Sequence, residues 1–367
     1  MQNKRSTIYI SSYDDIKNPH YGGGGAVAVH EIAKRLSKKY DIRVICWDYC
    51  GKKKEVIEGI HYERFGISSL SPKIGMFVYQ LALPFVALSK KYDLWMESFC
   101  PPFTTAFLPL FTKKPVVGIV HMLAAEDMER KYKLPFHLVQ NFGLKQYKNI
   151  LVTSAVLKKK IKAISPTSSI ELISNGISTV FKPTFKKEKY ILFLGRIEVN
   201  QKGIDLLISA FKKFHVKYSD YKLVIAGNGD VSEITQTKKL IKDAGLTSSV
   251  VLKGRVIGAT KDALFKNTSC LIIPSRFETY SLVALEAMAY GAPVVHFKIE
   301  GLSWIPDIIT EKAQPFDSNS LVSAMEKVIT SRTVSEKMIK EGNAYAKKFT
   351  WDSVAEQYDH YIERILK

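Results

Sequence analysis

The stretch CLIIPSRFETYSLVALEAMAYGAPVVHF, residues 270–297, reads as strand, loop, helix, strand. Its first four residues are apolar and β-rich, as a strand buried on both faces of a parallel sheet requires. The helix starts around Thr279 to Ser281 and stops at Gly291, whose missing Cβ suits a left-handed C-terminal cap. PVVHF is the next strand. Ligands of open α/β sheets bind at the carboxyl ends of such strands, which puts Glu278 in the ligand-side loop and leaves the first-turn N–H groups of the helix available to an anion. Glu286 falls in the second turn, with Leu282, Val283, Ala289 and Tyr290 one turn either side. A carboxylate on so apolar a stripe needs a partner, because burial without one is costly.

The same rhythm runs through the chain in both directions. TIYIS, a helix from about Ala26 to Lys39, IRVIC, PVVGIV and NILVTS come first. It restarts after FKPTFKKEK (181–189) with YILFLG, a helix from Ile204, YKLVIAG and VVLKG. With 367 residues, too many for one core, two βαβ domains joined near 175–189 are expected. The tail from Ser335 has a helical pattern, and Trp351 opens its last segment.

Two further clusters sit at strand ends. In FLGRIEVNQKGIDLL (193–207), Arg196 and Lys202 occupy a loop closed by Gly203 and a helix; together they suit a diphosphate, Arg as a planar fork and Lys as a point charge. Alone, each is an ordinary surface cation. In YGGGGAVAVHEIAKRL (21–36), four glycines between a first strand and a first helix let backbone approach a ligand closely. The spacing is not G-x-G-x-x-G, so the dinucleotide fingerprint is absent.

Together these clusters resemble the retaining nucleotide-sugar glycosyltransferases of family 4, and the resemblance runs over most of the chain. The E-x7-E pattern is Glu278 and Glu286; GR…KG is Arg196, Lys202 and Gly203; IAGNGD carries a glycine turn at Gly227 and Gly229; EAMAYGAPVV completes the set. The resemblance implies a GT-B fold, α/β, with two Rossmann-like βαβ domains facing across a cleft. Residues 1–178 would form the acceptor domain and 179–345 the nucleotide-sugar domain, while 346–367 would be a C-terminal helix packing back onto the first domain.

The roles it implies are residue-specific. Glu286 would bind the donor ribose and Glu278 would face the transferred sugar. Arg196 and Lys202 would hold the diphosphate. Backbone at Tyr280, Ser281 and Leu282 would cap a phosphate, and Gly23 and Gly24 would line the cleft. LKGRV (252–256), with Arg255 and Val256, would lie near the base, Gly227 would form the donor-side turn, and His121 would stand beside the sugar. The implied mechanism is retaining, through an oxocarbenium-like state, with fixed cations and helix-end amides stabilising the leaving group. No cofactor and no metal are implied. The chain departs from the pattern at Met122, Ser178 and Thr279, where the family often has Asp, Asp and Gly, so no sugar identity is carried over.

Composition narrows the partners. Lys and Arg number 54 against 35 Asp and Glu, a formal charge of +19, which points to something anionic. The excess leans to the first half, with 26 basic against 14 acidic residues in 1–180. Lys52 to Lys54, Lys113 and Lys114, Arg130 to Lys133 and LKKKIK (157–162) suit anionic lipid headgroups, with IGMFVYQLALPFVAL and PPFTTAFLPLF between them able to enter a membrane interface. The expected acceptor is a lipid-linked glycan and the expected location the cytoplasm, with peripheral attachment to the inner membrane face, since no signal peptide or membrane span is read. The four cysteines show no metal or redox spacing.

Two other classes share these features. A nucleotide-sugar epimerase or a non-catalytic sugar-nucleotide binder would share the fold; an epimerase needs a carboxylate pair, for which Glu97, Glu126 and Asp127 are available. A nucleic-acid binder would explain the charge, but its basic runs should interleave aromatics, and these are plain lysine doublets and triplets.

Overall fold

The computed structural model describes residues 5–18 and 23–367. Gly22, the first of the four consecutive glycines, lies outside the described residues. The chain divides into two units, one of Met1–Gly176 with Trp351–Lys367, the other of Ile177–Thr350.

The first unit is an eight-stranded sheet of β1 (Thr7–Ser11), β2 (Asp41–Trp47), β3 (Lys54–Ile57), β4 (Ile60–Phe65), β5 (Leu94–Ser98), β6 (Val116–Val120), β7 (Asn149–Val152) and β8 (Ser169–Leu172). Their order is β3-β4-β2-β1-β5-β6-β7-β8, and every pair is parallel except the β3–β4 hairpin. Its helices are α1 (Gly24–Leu36), α2 (Pro72–Leu88), α3 (Ala125–Tyr132), α4 (Phe136–Leu144) and α5 (Ala155–Ile164). The alternation of β1 shows why both faces are covered. Ile8 and Ile10 enter a core shared with α1, whereas Tyr9 turns to the opposite core and stacks on Trp95 with ring centroids 5.1 Å apart.

The second unit is a six-stranded, wholly parallel sheet of β9 (Tyr190–Leu194), β10 (Lys222–Ala226), β11 (Val250–Gly254), β12 (Cys270–Ile273), β13 (Val294–Phe297) and β14 (Thr310–Ala313), ordered β11-β10-β9-β12-β13-β14. Connecting and flanking it are α6 (Ile204–Lys217), α7 (Val231–Asp243), α8 (Gly258–Asn267), α9 (Leu282–Ala289), α10 (Ser318–Thr330) and α11 (Arg332–Ala346). The chain runs outward from β9 to β11, then crosses back to β12, so strand order reverses between β9 and β12. That is the topological switch point at which doubly wound sheets bind ligands.

The last helix, α12 (Trp351–Leu366), belongs to the first unit. Trp351, Val354, Tyr358, Tyr361 and Ile362 enter the core beneath α1, and Arg35 donates to Asp352 at 2.6 Å. Two differences from the sequence reading concern the first unit. Helix α1 begins at Gly24 rather than Ala26, because helical geometry tolerates glycine in the first turn. The β3–β4 hairpin includes Lys54, read from the sequence only as part of a basic run.

Candidate active site

Three loops of the second unit meet at the carboxyl edge of its sheet. The loop after β9 is zipped to the one after β10: Gly195 N–H donates to Ala226 O at 3.0 Å and Ile197 N–H to Asn228 O at 2.8 Å. A Cβ on Gly227 would lie 1.7 Å from Gly195 O, so only glycine allows this approach. Gly203 caps the N-terminus of α6 with φ +67°, and a Cβ there would lie 1.9 Å from Pro274 O. The loops after β9 and β12 therefore touch backbone to backbone.

That contact is tied by charge. Arg276 donates a bidentate pair to Asp205 at 2.8 and 2.7 Å and a third bond to Asn200 O at 2.8 Å. Lys202 Nζ then reaches Glu278 Oε1 at 2.7 Å, where Ser275 Oγ also donates at 2.7 Å. The pair is sheltered, with side chains 20% and 9% exposed. Arg196 stands on the same loop, exposed, at 2.8 Å from Glu198 and 3.0 Å from Gln201. Thus the two cations share a loop but hold different partners.

Ser281 opens α9 at φ +65°, a left-handed conformation unusual for serine. Tyr280 before it is buried, stacked on Trp304 at 4.6 Å, with Trp304 Nε1–H donating to Tyr280 O at 2.6 Å. This anchoring fixes the direction in which the first N–H groups of α9 point, and Leu282 is the first helical residue.

Glu286, in the second turn, meets Lys261 of α8 at 2.6 Å, and Tyr290 one turn on donates to Asp262. Its carboxylate is about a quarter to a third exposed, as is Lys261. Arg255 is exposed and Val256 half-buried in the short segment that leads into α8. Residues 255–262 and Glu286 therefore form one side of the edge, and Lys202 with Glu278 another.

His121, Gly23 and Gly24 lie in the first unit. His121 follows β6, and a Cβ on Gly25 would come within 3.9 Å of its Cδ2, so the histidine borders the glycine-rich start of α1. Both ring nitrogens are enclosed without a hydrogen-bond partner among the described residues, and burial pushes the imidazole down to about 4. It is neutral at pH 7. Gly23 N–H points at Asp14 Oδ2, 3.4 Å away, and burial pushes that carboxyl up to about 7.

Arg276, Asp205, Ser275, Lys261 and Asp14 were not singled out in the sequence. Arg276 carried a usable signal, since it stands two residues before Glu278 in the loop already marked as ligand-side. The carboxylates available to an epimerase are not brought together. Glu97 is buried, accepting from Ala106 N–H at 2.6 Å and from the Tyr147 hydroxyl; Asp127 is held by Arg130 and Lys131, and Glu126 is exposed. Among the described residues no group of three His, Cys, Asp or Glu could hold a metal, and no helix is long and apolar enough to cross a membrane.

Two Rossmann-like units with motif loops at a switch point define a GT-B glycosyltransferase fold. HepE of Anabaena, solved in complex with UDP and glucose, matches with a TM-score of 0.78 over 98% of this chain and 100% of its own, at 15% identity. The chain belongs to the glycosyltransferases of family 4 and group 1: residues 22–181 match the model described as Glycosyltransferase Family 4 and residues 178–345 that described as Glycosyl transferases group 1. An uncharacterized glycosyltransferase of Methanocaldococcus jannaschii is 30% identical, covering 92% of this chain and 94% of its own length. The lipopolysaccharide 1,2-N-acetylglucosaminetransferase of Salmonella typhimurium is 25% identical over 58% of this chain and 61% of its own.

Proposed function

We propose that the protein is a retaining glycosyltransferase that moves a sugar from a nucleoside-diphosphate sugar to a hydroxyl of a lipid-linked glycan. The observation that carries this reading is the sheltered contact of Lys202 with Glu278 at the switch point, beside the N-terminus of α9. A cation, an acid and helix-end amides at one place match the three needs of the reaction. The diphosphate takes Lys202 and Arg196, its oxygens meet the first N–H groups of α9, and Glu278 turns to the sugar. Glu286, positioned by Lys261, accepts from the ribose hydroxyls, with residues 255–256 near the base. The resemblance assigns His121 a place beside the sugar, and burial keeps its imidazole neutral. The leaving group is thereby met by protein cations without a metal or cofactor.

For the donor, UDP and GDP are the two candidates, and the UDP bound by HepE supports the first. For the acceptor, the Salmonella relative named for lipopolysaccharide supports a lipid-linked glycan. Thermal unfolding with UDP, GDP, ADP and TDP tests the donor half. One diphosphate at a hundred times its Kd should stabilise the wild type by roughly 2.7 kcal/mol, and Glu286→Ala should remove the shift. If no diphosphate stabilises the wild type, the donor assignment fails.

A further inference from the structure

Helix α2 is apolar on all sides but buried on only one. Tyr79, Leu83 and Ala87 enter the core, while Ile74 (53%), Phe77 (43%), Leu81 (53%), Phe85 (67%) and Leu88 (56%) are exposed along the opposite stripe. A helix that is apolar all round belongs in a large core or against lipid. The stripe does not end with the helix. Phe85 contacts Phe111 (ring centroids 6.3 Å), Phe77 contacts Phe103 (5.6 Å), and Phe103 contacts Phe136 (6.1 Å). Along α4 and the residue pair before it, Leu134, Leu138 and Phe142 repeat the pattern at four-residue spacing, each more than half exposed. The result is one continuous exposed apolar face within the first unit, the kind of surface that marks an interaction site.

Its charge names the partner. The segments that build the face, residues 71–92 and 99–149, contain ten Lys and Arg against three acids, Glu126, Asp127 and Glu129, all on α3. Lys90 is engaged by Glu63, and Arg130 and Lys131 by Asp127. Lys73, Lys91, Lys113, Lys133, Lys145 and Lys148 are exposed and have no ion-pair partner among the described residues. A second copy of the chain would bring the same positive charge to the contact, which opposes self-pairing. An apolar face rimmed by cations fits anionic lipid, with apolar side chains in the acyl boundary and lysines among the headgroups.

We propose that the face built by α2, residues 103–111 and α4 docks the protein on an anionic membrane, lying in the interface rather than crossing it. This deepens the acceptor half of the proposed function, since it delivers the first unit to a lipid-held substrate. Vesicle binding measured without donor or acceptor separates its failure from failure of the transferase reading.

The test is flotation of the full chain with vesicles of phosphatidylcholine alone or with about 30% phosphatidylglycerol, at low and high salt. Wild type should float with the anionic vesicles and be released by salt. Leu81→Ser/Phe85→Ser should weaken binding roughly a hundredfold, and Lys113→Glu/Lys133→Glu/Lys145→Glu at least as much, with unchanged thermal unfolding because all five side chains are exposed. Wild type that ignores anionic vesicles, or binds neutral ones equally, overturns the proposal. So do variants that float like wild type. A dimer in solution that Leu81→Ser/Phe85→Ser splits, without vesicle binding, would assign the face to a second copy instead.

Discussion

Lys202 Nζ sits 2.7 Å from Glu278 Oε1, so the cation suited to the leaving diphosphate is held by the acid that would face the sugar. On the proposed reading, donor binding exchanges one anion for another at this lysine. Lys202→Met should therefore lower kcat about a hundredfold to a thousandfold, the range for losing one preorganised charge at a developing anion, with a smaller change in KM. Release of nucleoside diphosphate in single-turnover assays measures it. An unchanged kcat would remove Lys202 from the chemistry.

The Glu286–Lys261 contact predicts a graded effect on donor binding. Glu286→Ala removes the proposed acceptor of the ribose hydroxyls, whereas Lys261→Ala leaves the carboxylate in place but free to rotate. Calorimetric titration with the stabilising diphosphate should show no binding for the first and about tenfold weaker binding for the second, a difference of about 1.4 kcal/mol. Equal affinities for all three proteins would place the ribose elsewhere.

Gly203 and Gly245 both lie at positive φ, +67° and +74°, but a Cβ on Gly245 would meet nothing within 4 Å. Gly245→Ala should cost about 1 kcal/mol from backbone strain alone. Gly203→Ala adds a clash with Pro274 O and should cost at least about 3 kcal/mol, while also lowering activity by parting the loops that hold Lys202 and Glu278. Urea unfolding of the two variants compares them directly.

Burial sets a pH signature with opposing parts. His121 and His296 are both pushed down to about 4, so between that value and the ordinary value near 6.5 the unfolded chain binds more protons. Stability falls as pH drops through this window. His121→Phe should make the decline shallower without abolishing it, since His296 remains. Asp14, pushed up to about 7, works the other way: the folded state holds its proton from near pH 4 to 7, and stability is lost as pH rises through that range. Asp14→Asn should gain stability over wild type at pH 8 and converge with it near pH 4. Thermal unfolding across pH 4–8 reads both variants.

Strands β9 and β12 were legible because burial on both faces demands unbroken apolar runs, and the stop of α9 was legible because Gly291 follows its last turn. The roles of Glu278 and Glu286 were suggested by topology plus resemblance. Their partners were not, since which side chain meets which depends on the order β10-β9-β12, a long-range property that no local period records. Lys261 lies 25 positions from Glu286 and Lys202 lies 76 from Glu278. The β3–β4 hairpin was hidden differently. Its turn residues Glu58 and Gly59 both take positive φ, a primed turn usually signalled by Asn-Gly or Asp-Gly, and its flanks are too polar to stand out.

The place of α12 in the first unit has a consequence for biosynthesis. The core under α1 stays open until Trp351, Tyr358 and Tyr361 leave the ribosome, whereas every strand of the second sheet has been translated by residue 313. The second unit draws on α10 and α11 as far as Ala346, so the earlier-encoded unit is the one whose core is closed by chain made after its neighbour's.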